Sequence, residues 1–147
     1  MDNPNSWFYS YMPQALELIG NLGHNVELVN RAADVPEGEL AFFMSCERIV
    51  KPDVLKRNKH NLVIHSSDLP KGRGWSPMTW TILGGDNTLP MTLFEAVEAM
   101  DAGDIYLQRF IEYEGHELLE ELRAKQGRVL VEMMVEFVEK YPAIVET

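Results

Sequence analysis

Cysteine is nearly absent. Cys46 is the only one in 147 residues, so one chain can form neither a disulfide framework nor a thiolate zinc site. A lone thiol is compatible with a cytoplasmic protein. Cations are scarce as well: 13 Lys and Arg against 23 Asp and Glu leave a net charge of -10. That balance disfavours a nucleic-acid partner held by counterion release. The acidic residues are spread along the chain, many of them near the C-terminus, and read as a solvated face. No apolar run approaches the roughly 20 residues of a membrane span. The N-terminus is acidic and lacks a long apolar stretch, so no signal peptide is expected. His24, His60 and His116 are not spaced as metal ligands, so no metal is expected. There is no G-x-S-x-G elbow and no phosphate-cradling GxxxxGK[ST] loop. Gly20-Asn21-Leu22-Gly23 reads as a helix end, not a dinucleotide fingerprint.

What remains is a chain with 46% hydrophobic residues, enough for one α/β domain over 1–147 with a real core. Ser6 or Asn5 can cap a first helix, along which Trp7, Tyr11, Ala15, Leu18, Ile19 and Leu22 recur at helical spacing until Gly23. Val26 and Leu28 mark a strand over about 24–30. Leu40 to Met44 is a continuous apolar run that fits a strand buried on both faces. Pro52 starts a short helix over about 52–58, and the next strand is 61–65. Ser76 as cap and Pro77 in the first turn predict a helix running to Gly84, with Trp80 on its core side. Met91–Val97 and Ile105–Tyr113 read as antiparallel strands joined through the Asp101 turn. A long helix over about 116–141 carries the stripe Leu118, Leu119, Leu122, Val129, Leu130, Met133, Met134, Phe137 and Val138. Gly127 interrupts it as a kink or a close packing point. The stripe packs on the sheet or, if exposed, pairs with a second copy in a homodimer.

Chemistry concentrates between Asn61 and Tyr106. An apolar run ends on His65, a Gly-rich basic loop follows, and an acidic turn comes later at Asp101-Ala102-Gly103-Asp104. That order puts an imidazole and a carboxylate at the open edge of a sheet, where α/β proteins bind ligands. Alone, either residue is also an ordinary structural choice. A strand-end His can be a hydrogen-bonded structural residue, and a turn Asp commonly satisfies backbone donors. Lys71 and Arg73 can meet an anionic group or simply face solvent. Trp75 at the loop end is open to stacking or packing.

These residues resemble the folate-dependent formyltransferases. His65, Ser67, Leu69, Pro70, Gly74, Asp101 and Gly103 fall on that family's pattern of His-x-Ser-x-Leu-Pro-x-x-x-Gly and a later Asp-x-Gly. One position departs: the family's Asn, two residues before the His, is Val63 here, and Asn61 lies four before it. The resemblance implies a Rossmann-like formyltransferase fold, with a mostly parallel sheet, helices on both faces and a long C-terminal helix. The first strand of such a unit is missing, because Asp2 to Ser6 already reads as the loop after it. A late start, a truncation or a strand supplied from elsewhere would account for that. It further implies formyl transfer from N10-formyltetrahydrofolate to a primary amine, without a metal. His65, Asp101 and Ser67 would be catalytic, and Arg48, Ile49, Val50, Met100 and Gly103 would bind the folate. Lys71, Arg73 and Trp75 would bind the acceptor. The run Ser66 to Pro77 is closest to homologues of surface-sugar biosynthesis, which points to a nucleotide-linked amino sugar.

Overall fold

The computed structural model describes residues 1–72 and 76–146. The chain opens with a 3-10 turn, Trp7–Tyr11, whose Ser6 hydroxyl accepts the Phe8 N–H. It runs into α1, Met12–Asn21, and Gly23 stops it at φ +91°, a conformation glycine adopts without a steric cost. β1 is Gly38–Phe42, α2 is Pro52–Leu55 and β2 is Asn58–His65. α3 spans Pro77–Leu83, β3 Thr88–Glu95, β4 Ile105–Glu112 and α4 Leu119–Lys140. Among the described residues no helix is long and apolar enough to cross a membrane.

The sheet order is β1-β2-β3-β4. β1 lies parallel to β2, while β2–β3 and β3–β4 are antiparallel, so the sheet is mixed. The architecture is α/β and Rossmann-like, closed by a long C-terminal helix. Parallel pairing is confined to the β1–β2 side because β3 follows β2 through the short α3 and then turns back through the Asp101 hairpin.

Alternation decides the faces. Leu62 on β2 and Leu89, Met91 and Leu93 on β3 are fully buried in one cluster with Phe8, Ile19, Met133 and Phe137. Asn61, Val63 and His65 project to the other face, with Phe94 and Thr92 beside Val63 and His65 in register. Phe43, Val54 and Leu69 are buried outside the main cluster.

α4 presents its apolar stripe to the sheet. Met133, Met134, Phe137 and Val138 are buried within the chain, so the stripe is not an exposed face for a second copy. Gly127 marks close packing: a Cβ there would stand 2.5 Å from the Tyr11 ring. The stripe begins later than the periodicity predicts, because Leu118 and Leu119 precede the sheet and stay exposed. Glu121 accepts the Leu118 N–H at 2.7 Å and caps the helix.

Just ahead of α4, the Glu117 carboxylate accepts the Glu114 and Gly115 N–H groups and pairs with Lys125 at 2.6 Å. The Lys125 bond first, then the backbone donors, lower its pKa from 4.5 to about 2. A depressed carboxylate contributes fully above the unfolded value and loses its contribution as pH falls from about 4.5 towards 2. Thermal unfolding followed from pH 6 to about pH 2 should therefore fall less steeply for Glu117→Gln than for the parent chain.

Four local expectations fail for physical reasons. Residues 24–30 form no strand. Val26 and Leu28 pack on the core, but a cavity of about 1080 Å³ is walled by this segment and β1, and no ladder spans it. For the same reason Leu40, Ala41 and Phe42 are only half-buried, not covered on both faces. Trp80 is 69% exposed, not core: α3 has no buried residue and lies shallowly on β3. Ser76 makes no side-chain cap, since its own backbone is left-handed at φ +54°.

Candidate active site

β2 delivers His65 to the sheet edge, and the β3–β4 hairpin delivers Asp101 to the same place. His65 Nε2 stands 3.8 Å from Asp101 Oδ2, with the two side chains 15% and 14% exposed. That separation exceeds a direct hydrogen bond and lies within reach of an ion pair when the imidazole is protonated. Thirty-six positions of sequence separate them. β3 ends opposite Leu62, and the Ala96 N–H donates to the Asn61 carbonyl, so the 96–104 turn runs back along β2 to bring Asp101 to His65.

The loop after β2 is held from below. His65 Nε2 lies 3.2 Å from the Gly72 carbonyl, so with its proton on Nε2 the ring donates there. Gly72 sits at φ +70°, and a Cβ on it would stand 2.9 Å from the Ser67 Cβ. The Ser67 carbonyl accepts the Thr92 hydroxyl at 2.7 Å, and Gln108 donates to that hydroxyl in turn at 3.1 Å. Ser66 accepts from Gln126 of α4 at 2.6 Å. The Ser67 hydroxyl is buried and has no hydrogen-bond partner among the described residues. Thr92, Gly72 and Gln126 carry no signal in a single sequence, since each acts through contacts only the fold creates.

The Asp101 turn is sterically tight. Asp101 occupies the left-handed region at φ +50°, which Asp tolerates better than most residues. Gly103 passes against Glu95, where a Cβ would fall 1.8 Å from the Glu95 carbonyl oxygen. Gly103→Ala should push the hairpin open. We expect a stability loss of roughly 1–3 kcal/mol, measured by urea unfolding, and displaced amide resonances for residues 95–105.

The segment expected to grip a folate lies apart, at the end of β1. Arg48, Ile49 and Val50 rim the large cavity, and Ile49 is 69% exposed. The Glu47 and Arg48 N–H groups are committed to the Asp2 carboxylate at 2.8 to 3.0 Å, leaving an apolar surface and the neighbouring carbonyls for a flat heterocycle. This donor set fits a pterin in part. Met100 is 47% exposed on the hairpin next to Asp101. Cys46 is partly buried, and that burial pushes its thiol pKa up, away from a reactive thiolate.

Lys71 lines a smaller cavity of about 310 Å³ with Ser67, Trp80 and Thr81. Arg73, Gly74 and Trp75 lie outside the described residues. Asn61 does not stand in for Val63. Its amide donates to the Leu55 carbonyl at 2.8 Å, toward α2 and away from His65.

A family model described as formyl transferase matches residues 23–138. The cytosolic 10-formyltetrahydrofolate dehydrogenase of Xenopus tropicalis is 39% identical over 74 residues, which are 50% of this chain and 8% of that protein. The solved methionyl-tRNA formyltransferase from Clostridium thermocellum superposes with a TM-score of 0.76 at 21% identity, covering 94% of this chain and 63% of that one. The solved sugar 3N-formyl transferase WlaRD, crystallised with dTDP and 5-N-formyl-THF, gives 0.64 at 18% identity, covering 81% and 43%. The likeness to both solved structures is one of fold. The chain thus spans less than two thirds of the length of each of these proteins.

Proposed function

The chain belongs to the formyl transferase family, and from that premise we propose that it moves a formyl group from N10-formyltetrahydrofolate to a primary amine of a nucleotide-linked amino sugar. The observation that carries this reading is the convergence of His65 and Asp101 at 3.8 Å on one sheet edge. The amine nitrogen attacks the formyl carbon, and the carbonyl electron pair moves onto oxygen. His65 donates a hydrogen bond to that oxyanion from its imidazole, the kind of contact that is usually the largest catalytic contribution. Asp101 orients the ring and accepts, directly or through water, the proton the amine must lose. The carbon–N10 bond then breaks as the oxyanion collapses, and N10 takes a proton. Ser67 sets the loop beside the ring.

Arg48, Ile49 and Val50, with Met100 and Gly103, would bind the folate. Lys71, Arg73 and Trp75 would hold the acceptor. The sugar amine is supported by the run Ser66 to Pro77 and by the fold shared with the sugar 3N-formyl transferase. The test is mass spectrometry of candidate amino sugars after incubation with the purified chain and N10-formyltetrahydrofolate. Gain of one formyl group by a nucleotide-linked sugar is expected. Labelling of another amine only would overturn the choice of acceptor.

Val63 favours a second reading, a folate- or nucleotide-sugar-binding subunit with degenerate catalysis. Val cannot donate to an oxyanion, and the Asn61 amide is engaged elsewhere. The two readings separate on one variant. For an active enzyme, Val63→Asn restores a donor beside His65 and should raise kcat at least several-fold, within the range of about 10²–10³ that one such donor is worth. Ligand binding with no turnover in either the parent or the variant would favour the degenerate subunit.

A further inference from the structure

Glu95 closes β3 with its side chain and its backbone both committed. Its carboxylate, 18% exposed, accepts the Asn61 N–H at 2.6 Å and the Tyr106 hydroxyl at 2.9 Å. His60 Nδ1 stands 3.0 Å from the same carboxylate. An ionised carboxylate only accepts, so the ring proton lies on Nδ1 and is donated. The Glu95 backbone N–H donates to the Asp104 carbonyl at 2.9 Å, and the Glu95 carbonyl oxygen packs on Gly103. The next residue, Ala96, donates to the Asn61 carbonyl at 2.6 Å. Glu95 therefore joins β2, β3 and β4 at the base of the 96–104 turn.

Tyr106 reaches Glu95 because β4 carries one extra residue. Leu93 pairs with Leu107 but Phe94 pairs with Ile105, so Tyr106 falls between them as the extra residue of a bulge. A bulge re-aims a side chain. Tyr106 and Leu107 both pack on the main cluster as a result, although they are neighbours in sequence. The Tyr106 ring lies 5.4 Å from Phe137, and its hydroxyl meets Glu95. Burial, then the Glu95 carboxylate, push the phenol pKa up and keep it a donor. His60 packs edge-on against Tyr141 at 5.7 Å. A carboxylate this little exposed depends on all of its donors, because one left unmet is not replaced freely by water.

We propose that Glu95, held by His60, Asn61 and Tyr106, is the positioning residue for Asp101. It acts through the turn and not on the reacting atoms, because its side chain lies on the α4 face and His65 projects from the other. The turn works as a lever. Its base is fixed opposite Leu62, and its tip meets His65, further along β2. Three residues of strand separate the two, or about 10 Å. A tilt of about 6° at the base moves the tip by about 1 Å, and a misplacement of that size can cost roughly 10²-fold in rate. This role rests on the formyl transfer proposed above.

Glu95→Gln and Tyr106→Phe test it, since each keeps the shape of the side chain and Tyr106→Phe also keeps the ring on Phe137. Both are assayed well below their Tm. Amide resonances of residues 99–102, at the tip, are expected to move along with those beside the substitution. kcat should fall roughly tenfold or more while KM for N10-formyltetrahydrofolate stays within about twofold. In an Asp101→Asn background, Glu95→Gln or Tyr106→Phe should lower kcat by less than about twofold more, because both changes act through one carboxylate. Should Glu95→Gln not fold, Tyr106→Phe carries every readout. Resonances of 99–102 that stay in place, an unchanged kcat, or the full loss repeated in the Asp101→Asn background would overturn the proposal. A parent chain without turnover would sink the formyl-transfer reading instead, and the resonances of 99–102 would then decide the positioning of Asp101 by themselves.

Discussion

Replacing His65 by alanine is expected to lower formyl transfer by roughly 10²–10³-fold, the usual cost of one oxyanion donor, while Tm stays within a few degrees of the parent. The separation of the two readouts follows from the surroundings. Among the described residues the ring hydrogen-bonds to the Gly72 carbonyl, and it projects away from the main apolar cluster. Asp101 needs a more careful substitution, because its backbone is left-handed at φ +50°. Alanine there would mix a strained turn with a lost charge. Asn tolerates the same conformation, so Asp101→Asn isolates the carboxylate. Its transfer rate should fall by a comparable factor, with Tm unchanged and folate affinity, measured by fluorescence quenching, altered less than tenfold. If His65→Ala and Asp101→Asn both leave the rate where it was, the pair is structural and the catalytic reading is wrong.

Phe137→Ala should bring the largest loss of stability, about 3–5 kcal/mol. Phe137 is fully buried and sits between three aromatic rings, Phe42 of β1, Tyr106 of β4 and Tyr141 past the helix end, with centroids 5.4 to 6.4 Å away. It therefore ties α4 to both outer strands at once. Removing the ring leaves a cavity that rigid neighbours on three sides cannot close. Chemical denaturation should show the midpoint moving sharply with little change in slope. Phe137→Leu, which keeps most of the volume, should recover more than half of the loss. A Phe137→Ala chain losing under 1 kcal/mol would mean that α4 is anchored elsewhere.

Much of the architecture was legible in the order of residues. Helical spacing from Leu122 to Val138 and Gly23 after α1 are local signals with local causes, and the helices stand where those signals put them. The antiparallel pair flanking Asp101 was legible for the same reason: two strand-like apolar runs on either side of a Gly- and Asp-bearing turn leave few alternatives. The membership in the formyl transferase family was legible too, in His65 with its downstream Ser-x-Leu-Pro and the later Asp-x-Gly. Local signals misled where the outcome depended on a distant neighbour. Val26 and Leu28 have strand composition, but a strand exists only when another offers it a ladder. Trp80 has core composition, but α3 lies too shallowly on β3 to cover it.

The primary structure by itself determined which groups are available: one imidazole at the end of an apolar run, one carboxylate in a Gly-bearing turn, Val where a donor amide would otherwise stand, and an excess of carboxylates over cations. Only the tertiary structure decided that His65 and Asp101 share a site, that Asn61 turns its amide to Leu55, that Gly103 has no room for a side chain, and that β1 leaves one edge open. The physical reason is the same in each case. Composition and spacing act within a few residues, whereas distances between strands are set by hydrogen-bonded register and by what packs beneath it.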